Sequence, residues 1–160
     1  MTTSSQSFVQ SLSKNNTALS ANRRQFLSFS LAEQAFAVPI EDVREITGIQ
    51  KFTPVPDVRE FVRGVINLRG AIIPILDIRM RLGLPEGNYG HRSCIVVVDL
   101  EGDPVGLLVD SVQEVANIDA GNIENPPKFD TSSSAQFICG IGKIGEEIRF
   151  ILDVDSIARH

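Results

Sequence analysis

Apolar and polar residues alternate over short stretches through most of the chain, and glycine or proline interrupts almost every stretch. This alternation is typical of β-strands with one buried face, and the turn residues between the stretches predict hairpins. Helical segments are predicted only after Asp77 and Asp153, where an aspartate can cap a short helix, with Gly83 ending the first helix. The pattern therefore predicts an all-β fold of many short strands.

The chain contains two copies of one unit. FVRGVINLRGAIIPILDI aligns without a gap on FICGIGKIGEEIRFILDV, 76 residues later, and FSLAEQAFAVPIEDVREI aligns on VDLEGDPVGLLVDSVQEV, 69 residues later. The two separations differ by seven residues, which places a seven-residue insertion in the loop that includes NPPKFDTSSSAQ. Two ungapped blocks in the same order favour a duplication over chance similarity between β-rich segments.

Each copy predicts two pairs of strands, the first joined by AEQA or EGDP and the second turning near Arg69–Gly70 or Ile144–Gly145. A unit of about 70 residues is marginally stable alone, so we expect the two copies to share a buried interface. Residues 1–22 are expected to form a flexible polar tail, and residues 23–160 a single domain. Its subdomains are expected at about 23–90 and 91–160, and terminal strands can be exchanged between them.

Composition narrows the classes of partner. The chain has 160 residues, 42% of them hydrophobic, and a net charge of -5, which disfavours nucleic acid as the main partner. Residues 51–92 nevertheless hold seven basic and four acidic side chains. That excess suits docking on an acidic protein surface, but a set of scattered, solvated arginines is the favoured explanation.

Cysteine usage and the N-terminus indicate a cytoplasmic protein. Cys94 and Cys139 lie in apolar stretches, which predicts buried thiols in a reducing compartment rather than a disulfide. The N-terminus has no signal-peptide pattern, and no apolar run is long enough to cross a membrane.

Catalytic and cofactor motifs are not predicted. GIGKIG, residues 140–145, fits G-x-G-x-x-G, but a strand pattern follows it where a dinucleotide site needs a helix, so these are expected to be hairpin glycines. Two cysteines and two histidines offer too few ligands for a typical metal site. His91 and Cys94 are three residues apart, which places them on opposite faces of a strand. The sequence therefore predicts neither an enzyme nor a bound cofactor.

Arg69 stands out when the two copies are compared, because its counterpart is Gly145 in an otherwise matched segment. A two-residue turn at Arg69–Gly70 would use Gly70 for its positive φ and direct the arginine outward at the tip. An exposed arginine framed by apolar strands is typical of an interface hot spot. The alternative, an arginine that keeps a turn soluble, remains open at this point.

The same comparison gives different answers for the neighbouring positions. Glu45 is matched by Glu114, which is equally consistent with a solvent-facing strand residue. Val43 and Ile72 also have apolar counterparts, which favours the core. Pro74 lies inside a strand pattern and predicts an edge strand or a bulge, where a partner strand could add.

The segments VREI, TPVPD, FVRGVINLRGAIIPILDIR, VGLLVDSVQEV and GIGKIGEEIRFILDVDSI together resemble the chemotaxis coupling proteins of the CheW type, over nearly the whole chain after residue 22. The resemblance implies two small SH3-like five-stranded β-barrels packed together and no enzymatic activity. It also implies an adaptor that links the cytoplasmic tips of chemoreceptors to the regulatory domain of the chemotaxis histidine kinase. Family positions implicated in these contacts match Val43, Glu45, Gly64, Arg69 and Ile72.

The resemblance sets further expectations. The chain has Thr47-Gly48-Ile49 where family members often have Arg-Gly-Tyr, so contacts at that corner are expected to differ. The protein is expected to be recruited from the cytoplasm to membrane-associated receptor arrays, without inserting into the membrane. Arg69→Ala is expected to abolish receptor binding and to leave the melting temperature nearly unchanged. The rival class is a β-barrel that binds a small ligand or an oligonucleotide, against which one tyrosine and no tryptophan argue.

Overall fold

The computed structural model describes residues 23–87, 89–126 and 136–159. Over these ranges the elements are, in chain order, β1 (Arg23–Leu31), β2 (Gln34–Pro39), β3 (Val43–Gly48), β4 (Val62–Leu68), β5 (Ala71–Asp77), α1 (Ile78–Arg81), β6 (Cys94–Leu100), β7 (Asp103–Val109), β8 (Ser111–Asp119), β9 (Ile123–Glu124), β10 (Ile138–Ile144), β11 (Glu147–Leu152) and α2 (Val154–Arg159). The predicted all-β class is confirmed. The predicted tail at 1–22 and most of the loop NPPKFDTSSSAQ lie outside the described residues.

The strands form two sheets, and each sheet takes strands from both copies of the repeat. One sheet has the order β3-β6-β7-β5-β4 and the other β8-β1-β2-β11-β10-β9, where β9 has only two residues. The first hairpin of each copy, β1–β2 or β6–β7, therefore lies in the sheet of the other copy. Each exchanged hairpin is hydrogen-bonded to its new sheet by one parallel strand pair, β5 with β7 in one sheet and β2 with β11 in the other. We call the two halves of the fold the five-stranded and the six-stranded subdomain.

One large apolar core contains side chains from both sheets. Its buried members include Phe29 and Phe36 from the six-stranded sheet and Val96 and Leu107 from the five-stranded sheet. Each sheet also has a smaller cluster, with members such as Ile75, Ile95 and Leu108 in one and Phe26, Ile118 and Ile151 in the other. The shared core is the buried interface expected of two units that are each too small to be stable alone.

The ends of the two copies repeat in atomic detail. The carboxylates of Asp77 and Asp153 each accept a hydrogen bond from the N–H three residues later, at 3.1 and 3.3 Å, as predicted for helix caps. Their own N–H groups donate to the carbonyls of Phe61 and Phe137, at 2.7 and 2.8 Å. Gly83, with a φ of +68°, ends α1 as predicted.

The glycines of GIGKIG belong to a hairpin, as predicted. Residues 140–144 lie in β10, and the turn to β11 is Gly145–Glu146, one residue later than the predicted Ile144–Gly145. The repeat-related turn is Arg69–Gly70, as predicted.

Pro74 does not lie on an edge strand, so that prediction is wrong. Strand β5 is inside its sheet, between β7 and β4, and the bulge lies in β4 between Val62 and Gly64. Proline is tolerated at position 74 because β7 pairs only with residues 75–77 of β5. Pairing with β7 therefore does not need an N–H group at Pro74.

The cysteines are less buried than predicted. Both thiols are free, Cys94 is partly buried on β6, and Cys139 is exposed on β10. The prediction was wrong for Cys139 because β10 turns this residue outward between the buried Phe137 and Gly140.

The two thiols should react at different rates. Burial raises the pKa of the Cys94 thiol to about 11, so only about a thousandth of it is thiolate at pH 8. Desolvation by its surroundings, and then the charge of Asp153, also raise the pKa of the Cys139 thiol, so the advantage of Cys139 is its exposure to the reagent. We expect iodoacetamide to modify Cys139 at least about tenfold faster than Cys94, as measured by peptide mass spectrometry over time. Equal rates would contradict the placement of Cys94.

Candidate partner-binding site

Arg69 lies at the tip of the β4–β5 hairpin in a backbone conformation that favours glycine. Its φ is +53° and that of Gly70 is +88°, while the repeat-related turn places Gly145 at the position of Arg69. A residue with a side chain costs about 1 kcal/mol in this region. The Asn67 side chain supports the turn by accepting a hydrogen bond from the Gly70 N–H at 2.9 Å. The arginine therefore occupies this position despite a conformational cost.

The Arg69 guanidinium forms an ion pair with Glu45, so the expectation that it projects outward at the tip is only partly right. The Arg69 side chain is 53% exposed, and its Nη2 donates to Oε1 of Glu45. Glu45 lies on β3 and Arg69 follows β4, which are the two end strands of the five-stranded order. The ion pair thus joins the two ends of the sheet, as in a sheet that curls towards a barrel.

Glu45 is buried, which decides against the alternative that it is a solvent-facing strand residue. Only 4% of its side chain is exposed, and its strand partner is the buried Val97. Over the described part of the chain, its second oxygen, Oε2, is also buried and has no hydrogen-bond partner. A buried carboxylate is stable only beside a compensating charge. The expectation that Arg69→Ala leaves the melting temperature unchanged therefore no longer follows.

The second copy builds an equivalent ion pair with the opposite burial. Glu114, the counterpart of Glu45, accepts from Arg149 Nη2 at 3.1 Å. Here the arginine is 9% exposed and the glutamate 56% exposed, and the arginine also donates to Glu147, Ser28 and the Ile148 carbonyl. Glutamate is thus paired in both copies, but only the first copy presents the arginine at the surface. The one-to-one comparison missed Arg149 because it lies four residues after the counterpart of Arg69.

Ile72 is exposed, which corrects the prediction that it belongs to the core. It is 61% exposed, the highest value for a large hydrophobic residue within the described ranges, and its counterpart Ile148 is 51% exposed. On β5 it alternates with the buried Ile73 and Ile75 and faces outward opposite Asn67. An exposed isoleucine three residues after Arg69 gives the hairpin an apolar contact surface beside a charged one.

Val43 and Gly64 lie within the fold rather than on the surface. Val43 is buried at the start of β3, as its repeat partner predicted. Gly64 is buried at the bulge of β4, where the backbone of Thr53 runs alongside. Among the five predicted contact residues, the structure joins Arg69 with Glu45 and places Ile72 on the same hairpin. Contact roles for Val43 and Gly64 stay predictions.

The corner at Thr47-Gly48-Ile49 presents an apolar side chain. Thr47 and Gly48 end β3, and Ile49, which follows them, is exposed. The expectation that contacts at this corner differ from those of other family members stays a prediction.

The basic excess of residues 51–92 is partly neutralised by ion pairs within the chain. Several of its arginines are engaged within the chain, in the ion pairs Arg63–Asp77, Arg69–Glu45 and Arg79–Asp110. Across the ranges the structure covers, no cluster of three or more histidine, cysteine or acidic side chains is arranged to hold a metal ion. Nor does any helix of those ranges have the length and apolarity to cross a membrane.

Comparison with known proteins identifies the family. The described residues form a two-sheet all-β fold with an ion-paired arginine at the tip of a hairpin. The family model described as "CheW-like domain" matches residues 25–160, so the chain belongs to the CheW-like family.

Individual relatives agree with this assignment. The chain is similar to the chemotaxis protein CheW of Rhizobium meliloti, with 34% identity over 84% of this chain and 86% of that protein. The corresponding protein of Klebsiella aerogenes is 29% identical over 84% of this chain and 81% of its own length. The crystal structure of the scaffolding protein TtCheW from Thermoanaerobacter tengcongensis has a TM-score of 0.79 and 36% identity, covering 86% of this chain and 93% of that chain.

Proposed function

We propose that this protein is a non-enzymatic scaffold that couples the cytoplasmic tips of chemoreceptors to the regulatory domain of the chemotaxis histidine kinase. Membership of the CheW-like family supports a scaffold role in chemotaxis. The single observation in the fold that supports it best is the β4–β5 hairpin, on which Arg69 and Ile72, three residues apart, are both exposed by more than half. Exposed apolar area beside a bidentate donor is the composition of protein-binding hot spots.

In this proposal the protein acts through contacts alone. Two faces of one rigid body bind two partners, so a change in the receptor is transmitted to the kinase through the scaffold. The protein would work in the cytoplasm, at receptor arrays to which its partners recruit it. The predicted contact roles of Arg69, Glu45, Val43, Gly64 and Ile72 belong to this proposal, with Ile72 the clearest surface position.

Co-purification tests the proposal. An immobilised kinase regulatory domain is incubated with soluble receptor-tip fragments, with and without this protein. We expect receptor fragments to be retained only when the protein is present. Retention that does not depend on the protein, or binding to neither partner, would refute the scaffold role.

The hairpin surface is tested by Ile72→Gln, with Ile148→Gln as the matched control from the second copy. Because Ile72 is mostly exposed, we expect the free energy of unfolding to change by less than about 0.5 kcal/mol. Loss of a hot-spot contact of about 2 kcal/mol should weaken binding of one partner more than about tenfold, as measured by calorimetry. Equal, small effects of both variants would show that the β4–β5 hairpin is not the contact surface.

A further inference from the structure

Arg81 lies between the two subdomains, stacked between a pair of repeat-related aromatic rings. Its guanidinium carbon is 4.1 Å from the ring centroid of Phe61 and 4.3 Å from that of Phe137. Phe61 precedes β4 of the five-stranded sheet, and Phe137 precedes β10 of the six-stranded sheet. Both rings are buried in the shared core, so each face of the guanidinium contacts a different subdomain.

The edge of the same guanidinium binds the C-terminal helix. Nε of Arg81 donates to the Ile157 carbonyl at 3.0 Å, and Nη2 donates to the Ser156 carbonyl at 3.2 Å. These carbonyls belong to the last turn of α2, where intrahelical donors are absent. Only a planar guanidinium can stack on two rings and donate along its edge at the same time. Burial, and then the charge of Arg59, lower the pKa of Arg81.

Arg79, in the same short helix, binds Asp110, the residue at which the chain passes from one sheet to the other. Asp110 is the single residue between β7 of one sheet and β8 of the other. Arg79 binds both oxygens of its carboxylate, with Nε 3.2 Å from Oδ1, and this hydrogen bonding raises the pKa of Arg79. Asp110 also accepts from the Ala32 N–H at 2.9 Å in the β1–β2 turn.

The second copy has no arginine at the two positions that match Arg79 and Arg81. At the positions 76 residues after Arg79 and Arg81, α2 carries Asp155 and the buried Ile157. Helix α1 therefore supplies two buried-side contacts of its own, whereas α2 reaches the five-stranded subdomain through the exposed pair of Arg159 with Glu101 of the β6–β7 turn, at 2.9 Å. Comparing the copies at these positions, as was done for Arg69, would have singled out both arginines from the sequence.

We propose that Arg81 is a positioning residue that fixes the relative orientation of the two subdomains, and with it the geometry of the two repeat-related hairpins, β4–β5 and β10–β11. Within each subdomain the strands are held by ladder hydrogen bonds that Arg81 does not touch. Loss of the Arg81 side chain should therefore loosen the contact between the two subdomains and leave both sheets intact. The inference concerns the chain itself and goes beyond the proposed function.

The orientation is measured as a distance between spin labels on the two hairpins, by pulsed electron resonance. Labels are attached at Ala71→Cys and Glu146→Cys, exposed positions at the two hairpin turns, in a Cys94→Ala, Cys139→Ser background. In this background we expect one narrow distance distribution with Arg81 present and a broader, displaced one with Arg81→Met. Arg81→Lys, which keeps the positive charge but lacks the planar guanidinium and its several N–H donors, should give a distribution of intermediate width. The exposed Arg92→Met is the matched control and should leave the distribution unchanged.

Amide hydrogen exchange and the Arg81→Lys variant distinguish a positioning role of Arg81 from a purely stabilising one. Amide exchange should show retained protection in the strands of both sheets in Arg81→Met, with faster exchange confined to α2. If Arg81→Met does not fold, Arg81→Lys decides: a broader distribution supports the inference, and the native width overturns it. Native width in Arg81→Met, with or without a loss of stability, also overturns it and makes the residue merely structural.

A binding measurement tests whether the orientation of the two subdomains matters for the scaffold role. This measurement alone rests on the proposed function. A partner that contacts both subdomains should bind Arg81→Met about tenfold more weakly, whereas Arg92→Met should bind normally. If no partner binds even the native chain, the proposed function fails while the distance result stands.

Discussion

Gly64→Ala should destabilise the protein by about 3 kcal/mol and lower the melting temperature by about 10 °C. Gly64 has a φ of +148°, a conformation that residues with a side chain rarely adopt. A Cβ atom there would lie 2.6 Å from the carbonyl oxygen of Thr53. Thr53 cannot move away cheaply, because its backbone exchanges two hydrogen bonds of 2.9 Å with Val65.

The repeat provides the control for this substitution. Gly140, the counterpart of Gly64, has no positive φ, and its added Cβ would meet the side chain of Ile123 at 3.3 Å. A side chain can shift by a few tenths of an ångström, so Gly140→Ala should cost only about 1 kcal/mol. Urea denaturation of both variants measures the difference. Equal costs would show that the close approach of Thr53 is not what requires glycine at position 64.

The glycine prediction also bears on the contact role inferred from family resemblance. A buried glycine pressed against a neighbouring backbone offers no side chain to a partner. Loss of binding in a Gly64 variant is therefore expected to follow from displacement of the 52–53 segment and the β4–β5 hairpin beside it. Residual binding measured well below the melting temperature of the variant distinguishes unfolding from loss of a contact.

Local features of the fold could be predicted because local chemistry determines them. Asp77 and Asp153 cap helices, and Arg69–Gly70 forms a two-residue turn, because hydrogen bonds and φ values within a few residues decide these structures. The reciprocal exchange of hairpins could only be left open. The β1–β2 and β6–β7 hairpins have similar apolar patterns, so either one suits either sheet by its pattern alone.

Burial at the candidate site could not be predicted from alternation. A period of two shows that Ile72 and Ile73 face opposite ways, but not which one faces the core. That choice depends on how the sheet curls, which brings β3 and β4 together at Glu45 and Arg69. Matching between copies was misleading at Ile72, because Ile148 is exposed as well. Both isoleucines occupy outward positions near the end of a hairpin, so a matched apolar residue there does not indicate core.

Arg69→Ala should lower the free energy of unfolding by about 2 kcal/mol, because it leaves the Glu45 carboxylate buried without its cation. Breaking a fully buried ion pair costs about 3 to 5 kcal/mol. The half-exposed guanidinium reduces that figure, because water already screens one side of the pair. The exposed Arg92→Ala is the control and should change the unfolding free energy by less than about 0.5 kcal/mol.

The double variant Arg69→Ala, Glu45→Gln separates the two roles of Arg69. A neutral amide at position 45 removes the uncompensated charge, so the double variant should regain at least about half of the lost stability. If Arg69 also contacts a partner, partner binding stays weak in this restabilised protein, since the guanidinium is still missing. Recovery of binding together with stability would instead mean that Arg69 serves binding only by holding β3 and β4 together. A single Arg69→Ala variant that unfolds like the native protein would contradict the ion pair itself, because a carboxylate 4% exposed cannot lose its cation without cost.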